Sequence, residues 1–332
     1  MDNTTKIVDR FGREHKYLRI SLTERCNLRC FYCMPEEGVK LREKSCFMTS
    51  EEVIELAEKF VALGVTKIRL TGGEPLIKKD IGNILSQLSK LPVELGITTN
   101  GVLVDKYIDT FKKAGIKSVN VSLDSLKEDR FNAISRRNYF NRIKSNIDLL
   151  IENDFNVKVN VVLIKDVNDD EITDFIDWSI IKPIEVRFIE FMPFDGNKWN
   201  WDKLVSNKKI LETVHSHYGE DYVEKIKDKK NDTTRSYRIK KAKGSFGIIS
   251  SMTNPFCDTC NRIRLTADGK IRNCLFSNSE VDLLGALRRK QNVEQLILQS
   301  IYNKEKQRGG INNFETSDFV LKDDRSMVTI GG

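Results

Sequence analysis

The chain has 332 residues, 39% hydrophobic and 31% charged, enough for one large core or a medium core with a smaller companion. Its 55 Lys and Arg against 48 Asp and Glu give a net charge of +7, which accommodates an anionic ligand or non-specific nucleic-acid attraction and selects neither. No apolar run approaches the ~18–20 residues of a membrane span, and residues 1–20 lack the apolar stretch of a signal peptide. The expectation is a cytoplasmic protein with no membrane partner. In that reducing compartment the clusters among its seven cysteines favour metal ligation over disulfides.

In chain order, a strand over 17–22 leads into a cysteine loop, Cys26-x3-Cys30-x2-Cys33. Thr49 to Glu52 forms a capping box that opens an amphipathic helix ending at Gly64. Strand 65–70 ends in Thr71-Gly72-Gly73-Glu74-Pro75, helix 79–90 follows, and strand 93–98 ends in Thr99-Asn100-Gly101. A helix stopping at Gly115, strand 116–122, helix 139–153, strand 156–164, a helix capped from Asn168 to Glu171 and strand 184–191 complete the series. Such strand–helix repeats with short connections predict an α/β fold with parallel strands. Polar and Gly-rich segments follow strand after strand, so the site is expected at the strand C-terminal ends, on the rim of a barrel-like arrangement. After Trp201 the pattern changes to short strands (236–240, 245–249, 262–266) and one helix over 281–301. The division expected is residues 1–225 and a smaller unit, 226–332, with a Lys-rich stretch over 225–243.

Tetrahedral zinc and iron–sulfur sites usually take four ligands, and the first cysteine run supplies three. No histidine lies within it; His15, His215 and His217 are elsewhere. With an aromatic, Tyr32, just before the third cysteine, the run resembles the signature of the radical S-adenosylmethionine superfamily. That resemblance implies a [4Fe–4S] cluster on Cys26, Cys30 and Cys33, with its fourth iron left to chelate S-adenosylmethionine. Gly72-Gly73-Glu74 resembles the superfamily's GGE segment, which receives the cofactor's methionyl amine. No G-x-x-x-x-G-K-[ST] run is present, so a P-loop is unsupported.

The second set, Cys257-x2-Cys260 with Cys274 thirteen residues on, again stops at three thiols. It fits a zinc knuckle or a second cluster with an open iron. Arg262 and Arg264 leave one face of their strand, a pair of forked cations suited to a polyphosphate. Asp268-Gly269 makes a hairpin turn that returns Cys274 toward Cys257 and Cys260. From Leu18 to Gly332 the landmarks RLTGGEP, TTNG, VSLD, VKVNVV, RFIEFM, FC-x2-C-x-R-x-R-L and the terminal double glycine together resemble the GTP 3′,8-cyclase family.

This resemblance implies a partial (β/α)6 TIM-like barrel with a C-terminal α+β iron–sulfur domain and two [4Fe–4S] clusters. It implies S-adenosylmethionine near Tyr32, Gly73, Ser122 and Met192. GTP contacts are implied at Arg19, Arg69, Thr98, Lys158, Arg262 and Arg264, with Arg19, Gly331 and Gly332 catalytic. Metal ligands would be Cys26, Cys30, Cys33, Cys257, Cys260 and Cys274; Cys46 matches no motif and reads as an incidental thiol. The implied activity converts GTP to its 3′,8-cyclised dihydro form, the first step toward molybdopterin. A flavodoxin- or ferredoxin-type donor and a downstream cyclic pyranopterin monophosphate synthase are the expected partners, nucleic acid is not, and a homodimer is compatible with the sequence. The rivals are another radical S-adenosylmethionine enzyme with one auxiliary cluster, and a metal-containing nucleic-acid-binding protein.

Overall fold

The computed structural model describes residues 6–35, 38, 42–311 and 325–331. Six strands run parallel in chain order: β1 (Tyr17–Ser21), β2 (Lys67–Thr71), β3 (Glu94–Thr99), β4 (Ser118–Ser122), β5 (Asn156–Leu163) and β6 (Ile184–Glu190). Along each, alternate side chains face opposite ways. In β1, Leu18 and Ile20 are buried, whereas Tyr17 and Arg19 look into a cavity. In β5, Val157, Val159 and Val161 are buried, and Lys158 and Asn160 alternate with them along that cavity. A parallel sheet covered on both faces would carry near-continuous apolar runs. The polar alternates mark a concave face that lines a lumen.

Helices with apolar stripes cover the other face. Ser50–Ala62 buries Val53, Leu56, Ala57 and Phe60, and Phe140–Glu152 buries Ile143, Ile147 and Leu150. The capping box forms as expected: Glu52 N donates to Thr49 Oγ1 at 3.3 Å, and Thr49 N donates to Glu52 Oε2 at 2.8 Å. No helix among the described residues is long and apolar enough to cross a membrane.

Past β6 the chain adds β7 (Val223–Lys225), β8 (Arg235–Ile239), β9 (Ser245–Ile249), β10 (Arg262–Leu265), β11 (Lys270–Arg272) and β12 (Glu280–Asp282). All join one sheet in the order β12-β11-β10-β1-β2-β3-β4-β5-β6-β9-β8-β7. β9 pairs parallel with β6 and β10 parallel with β1, so consecutive strands sit on opposite flanks of a partial (β/α)6 barrel. Segment 250–261 joins the C-terminal end of β9 to the N-terminal end of β10 and must cross the open side of the barrel.

Two sequence expectations are corrected. Residues 281–301 are not one helix but β12 followed by helices Leu283–Arg288 and Val293–Tyr302. Asp282 and Asn292 each cap a new start, accepting from Gly285 N and Gln295 N, and Lys290 at φ 56° turns the chain between them. Uninterrupted apolar spacing hid this break. Asn168 makes no helix cap; its side chain instead accepts from Ile164 N and donates to the Asp124 and Val162 carbonyls.

Candidate active site

Cys26, Cys30 and Cys33 lie in the loop that leaves the C-terminal end of β1. Segment 72–74, leaving β2, docks on the approach to this loop: Gly73 N donates to the Thr23 carbonyl at 2.6 Å and Glu74 N to the Arg25 carbonyl at 2.8 Å. A Cβ on Gly73 would stand 2.2 Å from the Arg25 carbonyl oxygen, so only glycine permits this approach. Asn100, after β3, donates to Cys26 Sγ at 3.7 Å. Tyr32 donates to Asp124, after β4, at 2.7 Å. Burial raises all three thiols, helped by nearby carboxylates and by one another: Cys26 reaches about 11 with Glu74 beside it, and Cys30 and Cys33 rise further beside Asp124. Such a trio is costly as free thiolates and well suited to a cationic iron centre. Among the described residues no group of three or more His, Cys, Asp or Glu side chains is drawn together around a single ion position.

The second cysteine set occupies the opposite end of the barrel. Cys257 and Cys260 immediately precede the N-terminal end of β10, and Cys274 follows β11, which runs antiparallel to β10. The Asp268-Gly269 hairpin therefore returns Cys274 to its partners as expected; Cys274 and Cys260 both raise Cys257, after burial. All three line the lumen cavity. Burial alone would raise Cys260, but the Arg262 guanidinium and the Lys304 ammonium bring it down to about 6. Lys304 donates to its Sγ at 3.5 Å and Arg262 at 3.8 Å. A thiolate stabilised in this way is a ready metal ligand.

Beside the second set, within the barrel, lies a cavity of about 1480 Å³. Register places Arg264, Arg19 and Arg69 side by side on β10, β1 and β2, and all three line the cavity with Arg262, Lys158 and Arg187. Desolvation lowers Arg19 to about 10, with Arg69 and Arg262 adding repulsion; Arg264 is lowered well below the ordinary arginine value by burial, Arg19 and Arg262. Burial would raise Tyr17, yet Arg69 and Arg19 bring its phenol to about 8, and Arg69 Nε donates to its oxygen at 2.7 Å. Lys158 and Arg187 share Glu185, at 3.5 and 2.7 Å. Asn120 Oδ1, Asn160 Oδ1 and Ser118 Oγ, also on this wall, are buried without a protein hydrogen-bond partner. Crowded cations and unsatisfied polar atoms in one lumen are what a polyanion with hydrogen-bonding groups would relieve.

The C-terminal segment reaches this lumen. Gly331 is buried, its carbonyl accepts from Arg264 Nη1 at 2.6 Å, and its nearest side-chain neighbours are Ser21 and Thr71 at the ends of β1 and β2. Arg325 anchors the segment through Asp268 (2.7 Å) and Glu280 (3.0 Å). Gly332 lies outside the described residues.

The residues anticipated from sequence thus separate by height. Tyr32, Gly73, Ser122 and Met192 sit at or beyond the C-terminal ends of their strands, while Arg19, Arg69, Lys158, Arg262 and Arg264 lie along the lumen wall below. Thr98 is half-buried, its hydroxyl oxygen is buried without a hydrogen-bond partner, and it lies in register with Asn120. The expected single rim is therefore only half the site, because the cavity continues to the N-terminal strand ends. Sequence reading missed Tyr17, Lys67, Asn120 and Arg187, which line the same cavity; the first three each stand two residues from an anticipated one, so the two-residue period was the signal available, whereas Arg187 has no such neighbour. Cys46 is exposed.

The model of the Radical SAM superfamily matches residues 20–179, and that of Molybdenum Cofactor Synthesis C matches residues 184–309. The GTP 3′,8-cyclase of Peptoclostridium acidaminophilum is 41% identical over 338 residues, covering 100% of both chains. Molybdenum cofactor biosynthesis protein 1 of Drosophila melanogaster is 47% identical over 307 residues, covering 91% of this chain and 54% of its own. The chain thus spans about half the length of that relative. Among solved structures, Streptococcus suis SuiB bound to S-adenosylmethionine superposes with a TM-score of 0.63 at 16% identity, covering 95% of this chain and 72% of its own, a likeness of fold.

Proposed function

Because the chain belongs to the GTP 3′,8-cyclase family of the radical S-adenosylmethionine superfamily, we propose that it converts GTP to (8S)-3′,8-cyclo-7,8-dihydroguanosine 5′-triphosphate. Superfamily membership brings a [4Fe–4S] cluster and S-adenosylmethionine. The cluster, held by Cys26, Cys30 and Cys33, would supply the electron that splits S-adenosylmethionine into methionine and a 5′-deoxyadenosyl radical. The net change in the substrate is loss of hydrogen from ribose C3′, formation of the C3′–C8 bond, and gain of one electron and one proton.

What this chain's own residues do follows from their heights. Tyr32, Gly73, Ser122 and Met192 would hold S-adenosylmethionine at the upper end. Arg19, Arg69, Lys158, Arg262 and Arg264 would hold the triphosphate in the lumen, with Thr98 level with Lys158 through Asn120. Cys257, Cys260 and Cys274 fit a second [4Fe–4S] cluster, whose open iron would take the guanine. Residues 1–225 would serve as the barrel unit and 226–332 as the unit carrying the second cluster. Arg19 and Gly331 would act beside the reacting ribose; Gly332, outside the described residues, is assigned a catalytic part by family resemblance alone. An electron donor of flavodoxin or ferredoxin type and a downstream cyclic pyranopterin monophosphate synthase complete the reading, which places the enzyme in the cytoplasm.

The observation that carries this reading is the row Arg264–Arg19–Arg69, which lines one cavity with Cys257, Cys260 and Cys274 in a barrel whose other end carries the Cys26–Cys33 loop. Its test is anaerobic: reduced protein with S-adenosylmethionine and GTP, analysed for 5′-deoxyadenosine and a cyclised nucleotide. Both should appear together. Deoxyadenosine without any cyclised nucleotide would assign the chain to another radical reaction.

A further inference from the structure

The Lys-rich stretch after β7, which no motif accounts for, forms part of the cavity wall. Lys227, Lys229 and Lys230 line the lumen cavity, as do Lys117 ahead of β4 and Lys243 ahead of β9. Thr66, Val93, Gly115, Pro183 and Gly244 line the same end; each precedes the strand it leads into. The cavity therefore opens at the N-terminal strand ends, opposite Cys26, Cys30 and Cys33. All five lysines are exposed, and among the described residues none forms an ion pair with a carboxylate. The neighbouring acids are already engaged: Asp228 by Lys225 and Arg235, Glu94 by Lys67, Glu185 by Lys158 and Arg187, and Asp232 by the Lys229 backbone N–H.

Unpaired ammonium groups in solvent contribute little to a static contact. Their field nevertheless extends over a Debye length of ~10 Å and is focused by a low-dielectric mouth, where it raises the encounter rate of a multiply charged anion. We propose that Lys117, Lys227, Lys229, Lys230 and Lys243 form a steering ring that draws the nucleotide triphosphate into the lumen from the N-terminal strand ends. The ring governs the rate of capture, whereas the buried arginines govern retention. This inference rests on the GTP reading above for its ligand.

The test is stopped-flow binding of GTP to the reconstituted full chain. Lys227→Gln/Lys229→Gln/Lys230→Gln should lower the association rate at low salt by about tenfold or more and flatten its dependence on ionic strength. The dissociation rate should stay within about twofold, and guanosine binding should not respond. Lys117→Gln/Lys243→Gln, on other elements, should act the same way more weakly, which guards against a local folding defect. Inorganic triphosphate serves as a second probe. If wild-type protein captures triphosphate but not GTP, the substrate reading fails while the ring is still tested. An unchanged association rate, or a change confined to dissociation, would overturn the ring. So would unchanged GTP capture accompanied by slower reduction from an acidic flavodoxin-type donor, which would make the lysines a protein-docking surface.

Discussion

Arg264 donates through Nη1 to the Gly331 carbonyl at 2.6 Å, so the C-terminal segment and the arginine row of the lumen share one guanidinium. The segment is not a frayed end: Val328, Thr329, Ile330 and Gly331 are buried. Met327 lines the cavity, and Arg325 is clamped by Asp268 and Glu280. Whatever occupies the lumen meets this peptide.

Gly331 adopts φ +86°, and a Cβ there would stand 2.7 Å from the Ser21 Cβ. Gly331→Ala should therefore displace the tail while leaving the strands intact. Misplacement of this kind typically costs on the order of 10²-fold in turnover. The measurements are turnover, GTP affinity and iron content, of which only turnover should fall. A variant with wild-type turnover would show that the tail has no part in the reaction.

Arg264→Ala removes a buried charge-assisted donor, a loss of about 1.5–3 kcal/mol, so GTP affinity should fall roughly tenfold or more. Guanosine should bind almost as before, and Arg264→Lys should rescue only in part because the fork is lost. Arg262 should behave differently. Its guanidinium lies over the Phe256 ring at 4.5 Å and reaches Cys260 Sγ at 3.8 Å, so Arg262→Ala should weaken GTP and also alter the absorption or EPR signal of metal at the second cysteine set. Equal losses for GTP and guanosine in Arg264→Ala would remove it from the phosphate site.

Anaerobic reconstitution should load about eight irons, four per set. Replacing Cys26, Cys30 and Cys33 with Ala should remove half the iron and all deoxyadenosine formation. Replacing Cys257, Cys260 and Cys274 should remove the other half and spare S-adenosylmethionine cleavage without GTP turnover. Zinc in the second set of active protein would contradict the two-cluster reading.

Tyr17 titrates near 8 rather than at its ordinary value of 10, because Arg69 and Arg19 overcome the effect of burial. A depressed acid adds stability that is fully present above the unfolded value and is lost as pH falls through the folded one. Between pH 10 and pH 8 the chain should therefore lose on the order of 2–3 kcal/mol from this group. Absorbance near the phenolate band should show a midpoint near pH 8 that is missing in Tyr17→Phe. A bound triphosphate, which neutralises the arginines, should move that midpoint upward. A downward movement would place the anion elsewhere.

The local devices were legible in sequence and the long-range ones were not. Thr49 and Glu52 announce a helix start because the capping box closes within four residues. The Cys26 run and Gly73 announce a site because their spacing is itself the chemistry. Nothing near Arg264, however, states that β10 will insert beside β1 and set it level with Arg19; that pairing joins residues far apart in the chain. For the same reason the expected rim covered Tyr32 and Ser122 but not the opposite mouth, where Lys229 meets the cavity wall. Two-residue alternation in β1 and β5 showed which side chains share a face, and it remained silent on which face is concave.

β9 and β10 flank the barrel from opposite sides, and residues 250–261 are the only chain that leads directly from one to the other. Adjacent strands lie ~4.8 Å apart, so widening the barrel by even one strand width would have to be absorbed by a segment that ends in Cys257 and Cys260. The opening of the barrel and the placement of Cys257 and Cys260 are therefore carried by one stretch of chain, residues 250–261, so a substitution in that stretch would bear on both.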